Sequence, residues 1–129
     1  MKINNNSNYT NENFTDFDLH SRRVELSNFE DCKFVNCNLT VTQFWECEFI
    51  DCEFKNSDLT LIQFDKSKFL ETDFMDSRFS LSKLDKCNFE EAINYYIDPL
   101  KNSIEGAKFS SPEVLSLLSP FKIKIDQIF

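Results

Sequence analysis

Glycine is all but missing from this chain: one glycine and three prolines stand in 129 residues. That scarcity leaves little room for flexible linkers and none for a glycine-rich loop that cradles phosphate. Histidine is as scarce. His20 stands alone, so there is no HExxH metal helix, and a nucleophile elbow of the G-x-S-x-G type is missing too. No stretch approaches the ~18 apolar residues of a membrane-spanning helix. The polar start, MKINNNSNYTNEN, lacks the apolar segment of a signal peptide, and a cytoplasmic protein is expected. Positive charge is also in short supply: 14 Lys and Arg against 22 Asp and Glu give a net charge of −8 and a pI near 4.6. Phosphates would repel such a chain, so direct binding to nucleic acid is not expected. With 41% hydrophobic and 28% charged residues, the composition fits one ordinary soluble domain.

What the chain has in abundance is order. Sixteen apolar residues stand at intervals of five: Phe14, Leu19, Val24, Phe29, Phe34, Leu39, Phe44, Phe49, Phe54, Leu59, Phe64, Phe69, Phe74, Phe79, Leu84 and Phe89. Eleven of the 15 phenylalanines lie on this grid. A helix repeats near 3.6 residues and a strand at 2, so neither produces a period of five. Self-similarity this strict marks a solenoid, in which short stacked units share one continuous core.

A second grid runs beside the first. Two residues before each apolar position, from 27 to 87, stand Ser27, Cys32, Cys37, Thr42, Cys47, Cys52, Ser57, Ile62, Ser67, Thr72, Ser77, Ser82 and Cys87. Twelve of these 13 are Ser, Thr or Cys, and Ile62 is the exception. A large and a small residue at fixed phases both point inward, the small one where the wall is too near for bulk. Polar and charged residues crowd the other phases and form the outer surface. All five cysteines occupy the small phase. The spacing C-x4-C-x9-C-x4-C of Cys32, Cys37, Cys47 and Cys52 resembles a zinc site only superficially, because the usual ligand spacings and a partnering histidine are missing. An odd count with no secretion signal points to free thiols that serve packing, and no metal or other cofactor is expected.

The unbroken pattern [S/T/C]-x-[F/L]-x-x, cleanest in EDCKFVNCNLTVTQFWECEFIDCEFKNSDLTLIQF, resembles the pentapeptide-repeat family. The resemblance implies an all-β solenoid, a right-handed quadrilateral β-helix in which four pentapeptides make one square coil. Coils of this kind stack about 4.8 Å apart, and about five are expected here.

The ends depart from the pattern. Residues 1–13 read as an irregular lead-in and 14–109 as the β-helix. Glu12, Phe17 and Arg22 stand at the small phase of the first coil, which marks it as a capping coil. The register weakens at Asn94 and Pro99 and returns at Ile104 and Phe109, with Ala92 and Ala107 at the small phase. Residues 110–129 read as a C-terminal cap. It begins with a short α-helix that Ser111 caps, that Pro112 opens and that Pro120 ends, with Val114, Leu115 and Leu118 on its apolar face. The alternation after it predicts a strand with Phe121, Ile123 and Ile125 on one side. This segment resembles the C-terminal cap of bacterial family members. That implies a homodimer through this end, with Leu115, Leu118, Phe121, Ile123 and Ile125 as its contact residues.

Residues 20 apart stack in outward ladders. One column reads Asp31, Asp51, Glu71, Glu91, and its neighbour Lys33, Glu53, Asp73, with Glu30 and Glu90 flanking them. Like charges on adjacent rungs repel by roughly a kcal/mol each near a wet surface. The stripe is either an imitation of the DNA phosphate backbone or a solvated face that prevents aggregation. A second ladder, Val41, Leu61 and Leu81, runs beside Thr40, Thr60 and Ser80, with Ile62 and Trp45 close by. It is either a contact surface or ground covered by a terminal segment folded back over it.

Catalysis is not expected, since every serine and aspartate is explained by the repeat and a smooth prism offers no concave site. Two functions remain. One is a non-enzymatic protein–protein interaction scaffold with an unidentified partner, using the apolar ladder or the C-terminal cap. The alternative, implied by likeness to the quinolone-resistance branch of the family, is an acidic DNA mimic that binds a type II topoisomerase such as gyrase. An unbroken register from 14 to 89 leaves no room for the projecting loops that several members of that branch carry. Five coils rise only about 24 Å, so a mimic of useful length requires a tail-to-tail dimer.

Overall fold

The computed structural model describes residues 2–126, and within them twelve short β-strands wind into a solenoid of parallel coils. One sheet stacks β1 (Asn8–Thr10), β4 (Asn28–Glu30), β7 (Glu48–Ile50), β10 (Lys68–Leu70), β11 (Asn88–Phe89) and β12 (Lys108–Phe109). A second stacks β2 (Asn13–Thr15), β5 (Lys33–Val35) and β8 (Glu53–Lys55). A third stacks β3 (Arg23–Glu25), β6 (Gln43–Trp45) and β9 (Gln63–Asp65). The fourth side is a column of single bridges, Asp18–Asn38–Asp58–Arg78. Throughout the three sheets each residue pairs with the one 20 positions on, as in Phe14 with Phe34 and Phe34 with Phe54. The solenoid expected from the five-residue period is therefore the fold.

The core follows from that register. Tyr9, Phe29, Phe49, Phe69, Phe89 and Phe109 form one column of stacked rings, with centroids 4.9–5.3 Å apart. Phe14, Phe34, Phe54 and Phe74 form a second, spaced 4.7–5.1 Å. Edge-to-face contacts tie the columns together, for example Phe49 to Phe54 at 5.2 Å. Both arrangements suit the ring quadrupole. The small phase does more than leave room. Its hydroxyls and thiols donate to the carbonyl of the large residue one coil back: Thr42 Oγ1 to Leu19 (2.8 Å), Cys52 Sγ to Phe29 (3.2 Å), Ser77 Oγ to Phe54 (2.6 Å) and Ser82 Oγ to Leu59 (2.8 Å). That accounts for Ser, Thr and Cys in place of a merely small residue. The five cysteines are unpaired and buried, and burial pushes the Cys47 thiol to about 11 and Cys52 and Cys87 to about 12.

Corners between faces demand an unusual backbone. Every fifth residue from Asn6 to Tyr96 has a positive φ, and Asn or Asp occupies eight of these nineteen positions. Those two residue types tolerate the left-handed region best after glycine. The one glycine, Gly106, stands at the same phase with φ of 72°. Most corner amides donate to a carbonyl of the next coil, as Asp31 does to Ile50 at 3.0 Å and Val41 to Thr60 at 3.1 Å.

The ends differ from the sequence expectation in several ways. Within residues 2–13 the coil pattern already begins. Tyr9 lies on the grid and stacks on Phe29, and β1 already pairs with β4. Ile3 is buried and plugs the open end, held by the Arg22 guanidinium on its carbonyl (3.1 Å). The repeat is broken around residue 95: Tyr95 enters the core in place of Asn94, Ile97 is buried at the small phase, and Pro99 is only half-buried at the large one. Asn94 instead donates through its amide to Glu113 Oε1 (2.7 Å) and through Nδ2 to Asp73 Oδ1 (2.9 Å).

The terminal helix, Glu113–Phe121, is a 3₁₀ helix and not an α-helix. No side chain caps it, Ser111 included, and Pro120 lies inside it. Its bonds run three residues back, Leu115 to Pro112 and Lys122 to Ser119, and Lys122 ends it in the left-handed region. The expected strand through Phe121, Ile123 and Ile125 is absent among the described residues, since no neighbouring edge pairs with it. Its remainder, Gln127 to Phe129, lies outside them.

Phe54→Ala removes a ring packed between Phe34 and Phe74 and should cost about 3–5 kcal/mol in urea titrations. Ser77→Ala removes one buried donor and should cost about 1 kcal/mol. Equal losses would contradict this ordering.

Candidate partner-binding surfaces

The four corners of the coil carry different chemistry, because each is one residue type stacked on itself. Asp31, Asp51, Glu71 and Glu91 occupy one corner, between the β1 and β2 faces, all exposed and all with φ near 50–62°. Glu30 and Glu90 lie exposed on the β1 face beside it, and Glu53 and Asp73 bridge each other on the β2 face. The structure therefore brings the acidic stripe together. Four ion pairs are present among the described residues, Arg23–Glu25, Lys66–Glu46 (3.8 Å), Lys68–Glu48 (4.0 Å) and Arg78–Asp58 (3.4 Å), and none includes a stripe residue. The Glu71 carboxyl is held above its ordinary range, first by the hydrogen bond it shares with Asp51, then by the Asp51 charge, with Glu91 adding to it. Asp73 is partly committed to structure: its Oδ1 accepts from the Met75 amide (3.0 Å) and from Asn94. Ile50 and the exposed Leu70, paired on β7 and β10, stand beside this corner.

Half a coil further on, diagonally opposite, stands the apolar corner. Val41, Leu61 and Leu81 are 44%, 45% and 64% exposed, and no terminal segment among the described residues covers them. Their φ values are 60°, 59° and 53°, a conformation that is an outlier for a β-branched residue such as Val41. Leu100, 74% exposed, follows Thr40, Thr60 and Ser80 in the neighbouring column, its amide donating to Asp98 Oδ1 two residues back as that of Thr60 does to Asp58, and it shares a shallow cleft with Leu81, Lys83 and Lys101. Ile62 does not belong to this surface. It is fully buried at the small phase, beside the Leu39 and Leu59 ladder, where leucine in place of phenylalanine leaves room for it. Trp45 faces a different setting. The Arg23 guanidinium sits 5.9 Å over its ring, and Asp65, Lys66, Asp85 and Lys86 line the cleft beside it.

A third apolar area covers the C-terminal end. Leu118, Phe121, Ile123 and Ile125 are exposed and Leu115 is half-buried, and only Leu117 of the helix packs against the core. Tyr96, which sequence reasoning missed because it lies in the distorted coil, joins them beside Leu115 and Ile125. Buried Tyr95 is pushed up to about 12 by burial and by the Glu113 charge. No group of three or more His, Cys, Asp or Glu side chains among the described residues is placed to hold a metal ion. His20 lies on the exposed bridge face, its Nδ1 2.8 Å from Thr40 Oγ1.

This geometry, a square coil built from one repeated pentapeptide, defines the class. The model of pentapeptide repeats matches eight copies over residues 27–62, so this stretch of the chain is similar to the pentapeptide-repeat family. Among solved structures it is similar to HetL, a pentapeptide-repeat protein involved in heterocyst differentiation regulation from the cyanobacterium Nostoc sp. strain PCC 7120. The two are 20% identical with a TM-score of 0.51, over 82% of this chain and 41% of HetL. It is also similar to the pentapeptide-repeat protein Rfr23 from the cyanobacterium Cyanothece 51142, at 7% identity and a TM-score of 0.41, over 83% and 86% of the two chains. Full-length QnrB1, a plasmid-mediated fluoroquinolone resistance protein, matches at 12% identity and a TM-score of 0.28, over 90% of this chain and 100% of that one. No curated protein matches the sequence.

Two outcomes follow. Because the folded state holds the Glu71 proton more tightly than the unfolded chain, the contribution of this group to stability is fully present below the ordinary Glu range and is lost as pH rises through the raised value. Glu71→Gln should therefore raise Tm at neutral pH, with the gain vanishing in acid. Val41→Asn should stabilise by about 1 kcal/mol in urea titrations, because Asn fits the left-handed corner and no packing is lost. Destabilisation instead would mean that Val41 is packed.

Proposed function

We propose that this chain is a non-enzymatic scaffold that binds another protein, and that it works in the cytoplasm. The observation that carries the proposal is the ridge Val41, Leu61, Leu81. Three exposed apolar side chains stack at corners where Asn or Asp would be less strained, and folding alone does not call for them. The apolar C-terminal end, with Leu118, Phe121 and Ile123, supports a second contact there, a tail-to-tail homodimer of the kind this cap permits. Five buried, unpaired thiols fit a reducing compartment.

A second reading keeps the acidic corner as its site: a DNA mimic that binds a type II topoisomerase such as gyrase. It is favoured by the lack of ion pairs along the stripe among the described residues and by the raised Glu71 carboxyl, which together leave a carboxylate ladder with its repulsion unrelieved. A basic partner surface would relieve it.

Gyrase supercoiling, with and without a fluoroquinolone, separates the two. The scaffold reading expects no effect from the wild-type chain, and expects a photo-crosslinker placed at residue 61, but not one placed at residue 51, to capture a defined partner in cells. Inhibition or drug protection that disappears when Asp31, Asp51, Glu53, Glu71 and Asp73 are replaced by Lys would transfer the function to the acidic corner.

A further inference from the structure

Taking the apolar ridge as a contact surface, we infer that its occupant is a second copy of this chain, packed side by side and antiparallel, ridge against ridge. Three features point to this partner.

The first is charge. Each chain carries −8, so two copies repel wherever their acids face each other. The ridge is flanked by Thr40, Thr60 and Ser80 on one side and by Gln43 and Gln63 on the other, a lengthwise strip without charge across its middle rungs. It stands half a coil from Asp31, Asp51, Glu71 and Glu91. Two copies joined there hold their acidic corners a full molecular width apart on each side, well beyond the screening length of about 8 Å in physiological salt. A basic partner, by contrast, would be drawn to the opposite corner.

The second is period. An occupant must offer apolar side chains along a straight line at the inter-coil spacing of about 4.8 Å. Val41, Leu61 and Leu81 are themselves such a line, and a two-fold axis across it brings Leu61 of one copy to the partner's Leu61 and Val41 to the partner's Leu81. The third is direction. Lys83 and Lys101 lie at the Leu81 end of the ridge. Parallel pairing would put four lysines together, and antiparallel pairing separates them.

A corner contact is smaller than a standard interface of about 800 Å² per partner, so the dimer is weak, forming near 100 µM. The experiment measures mass by sedimentation equilibrium in a Phe121→Glu background, which removes the end-to-end contact. A dimer in that background that becomes a monomer on adding Leu61→Lys is the expected result. Lysine is tolerated at this corner conformation, as Lys66 and Lys86 show, and a Tm close to that of the parent would establish that the variant folds. Disulfide trapping then reads direction, the native thiols being buried. Val41→Cys mixed with Leu81→Cys should cross-link, and Val41→Cys alone should not.

A monomer in the Phe121→Glu background at about 100 µM, a dimer indifferent to Leu61→Lys, or trapping of Val41→Cys with itself would overturn the inference. The first two leave the scaffold reading standing, since capture of a different protein from residue 61 is decided separately.

Discussion

The 20-residue register between coils is the constraint on which everything else in this molecule depends. Main-chain amides reach from each coil to the next, and the side chain at any phase must then sit on the same phase of its neighbour. Inside, that suits aromatic rings, which stack at about the spacing the backbone imposes. The hydroxyl and thiol donors of the small phase close the same ladder from within, all but Ser67 bonded to a carbonyl one coil back. Core packing and backbone pairing are thus one arrangement seen from two sides.

Outside, the same rule works against the chain. Carboxylates stacked at one corner repel, and the raised Glu71 carboxyl registers it. Leucines stacked at the opposite corner expose apolar surface in a strained backbone. The two corners lie half a coil apart, so the molecule has a charged edge and an apolar edge that cannot meet the same partner. A surface of this kind sorts its neighbours: like copies avoid each other at one edge and lose nothing electrostatic at the other.

The five-residue grid was legible because it repeats without a break, and it led directly to the coil, the core and the acidic and apolar columns. Much of the rest needed distances in space. The corner phase left a trace, Asn or Asp at eight of nineteen positions, but Leu61 and Lys66 adopt the same φ and blur it. Ile62 adjoins Leu61 in the sequence but stands at the inward phase, and it is buried there and not part of the ridge. Tyr96 and Leu100 lie exposed where the repeat breaks at Asn94 and Pro99, so no column of like residues announces them. The terminal segment carries good α-helical signals, Pro112 and an apolar face, yet its bonds close three residues back and Pro120 lies inside it.

By itself, then, the sequence determined the coil: a repeat of large, small and polar residues every five positions has one way to hide its phenylalanines. Tertiary structure decided what happens where the repeat fails. At Ile3, at Tyr95 and along the terminal helix, contacts between distant segments replace periodicity, and local sequence holds no record of which neighbour will be there. It also decided which outward columns share an edge, because adjacency between corners is set by how the chain turns through four faces and not by any residue alone.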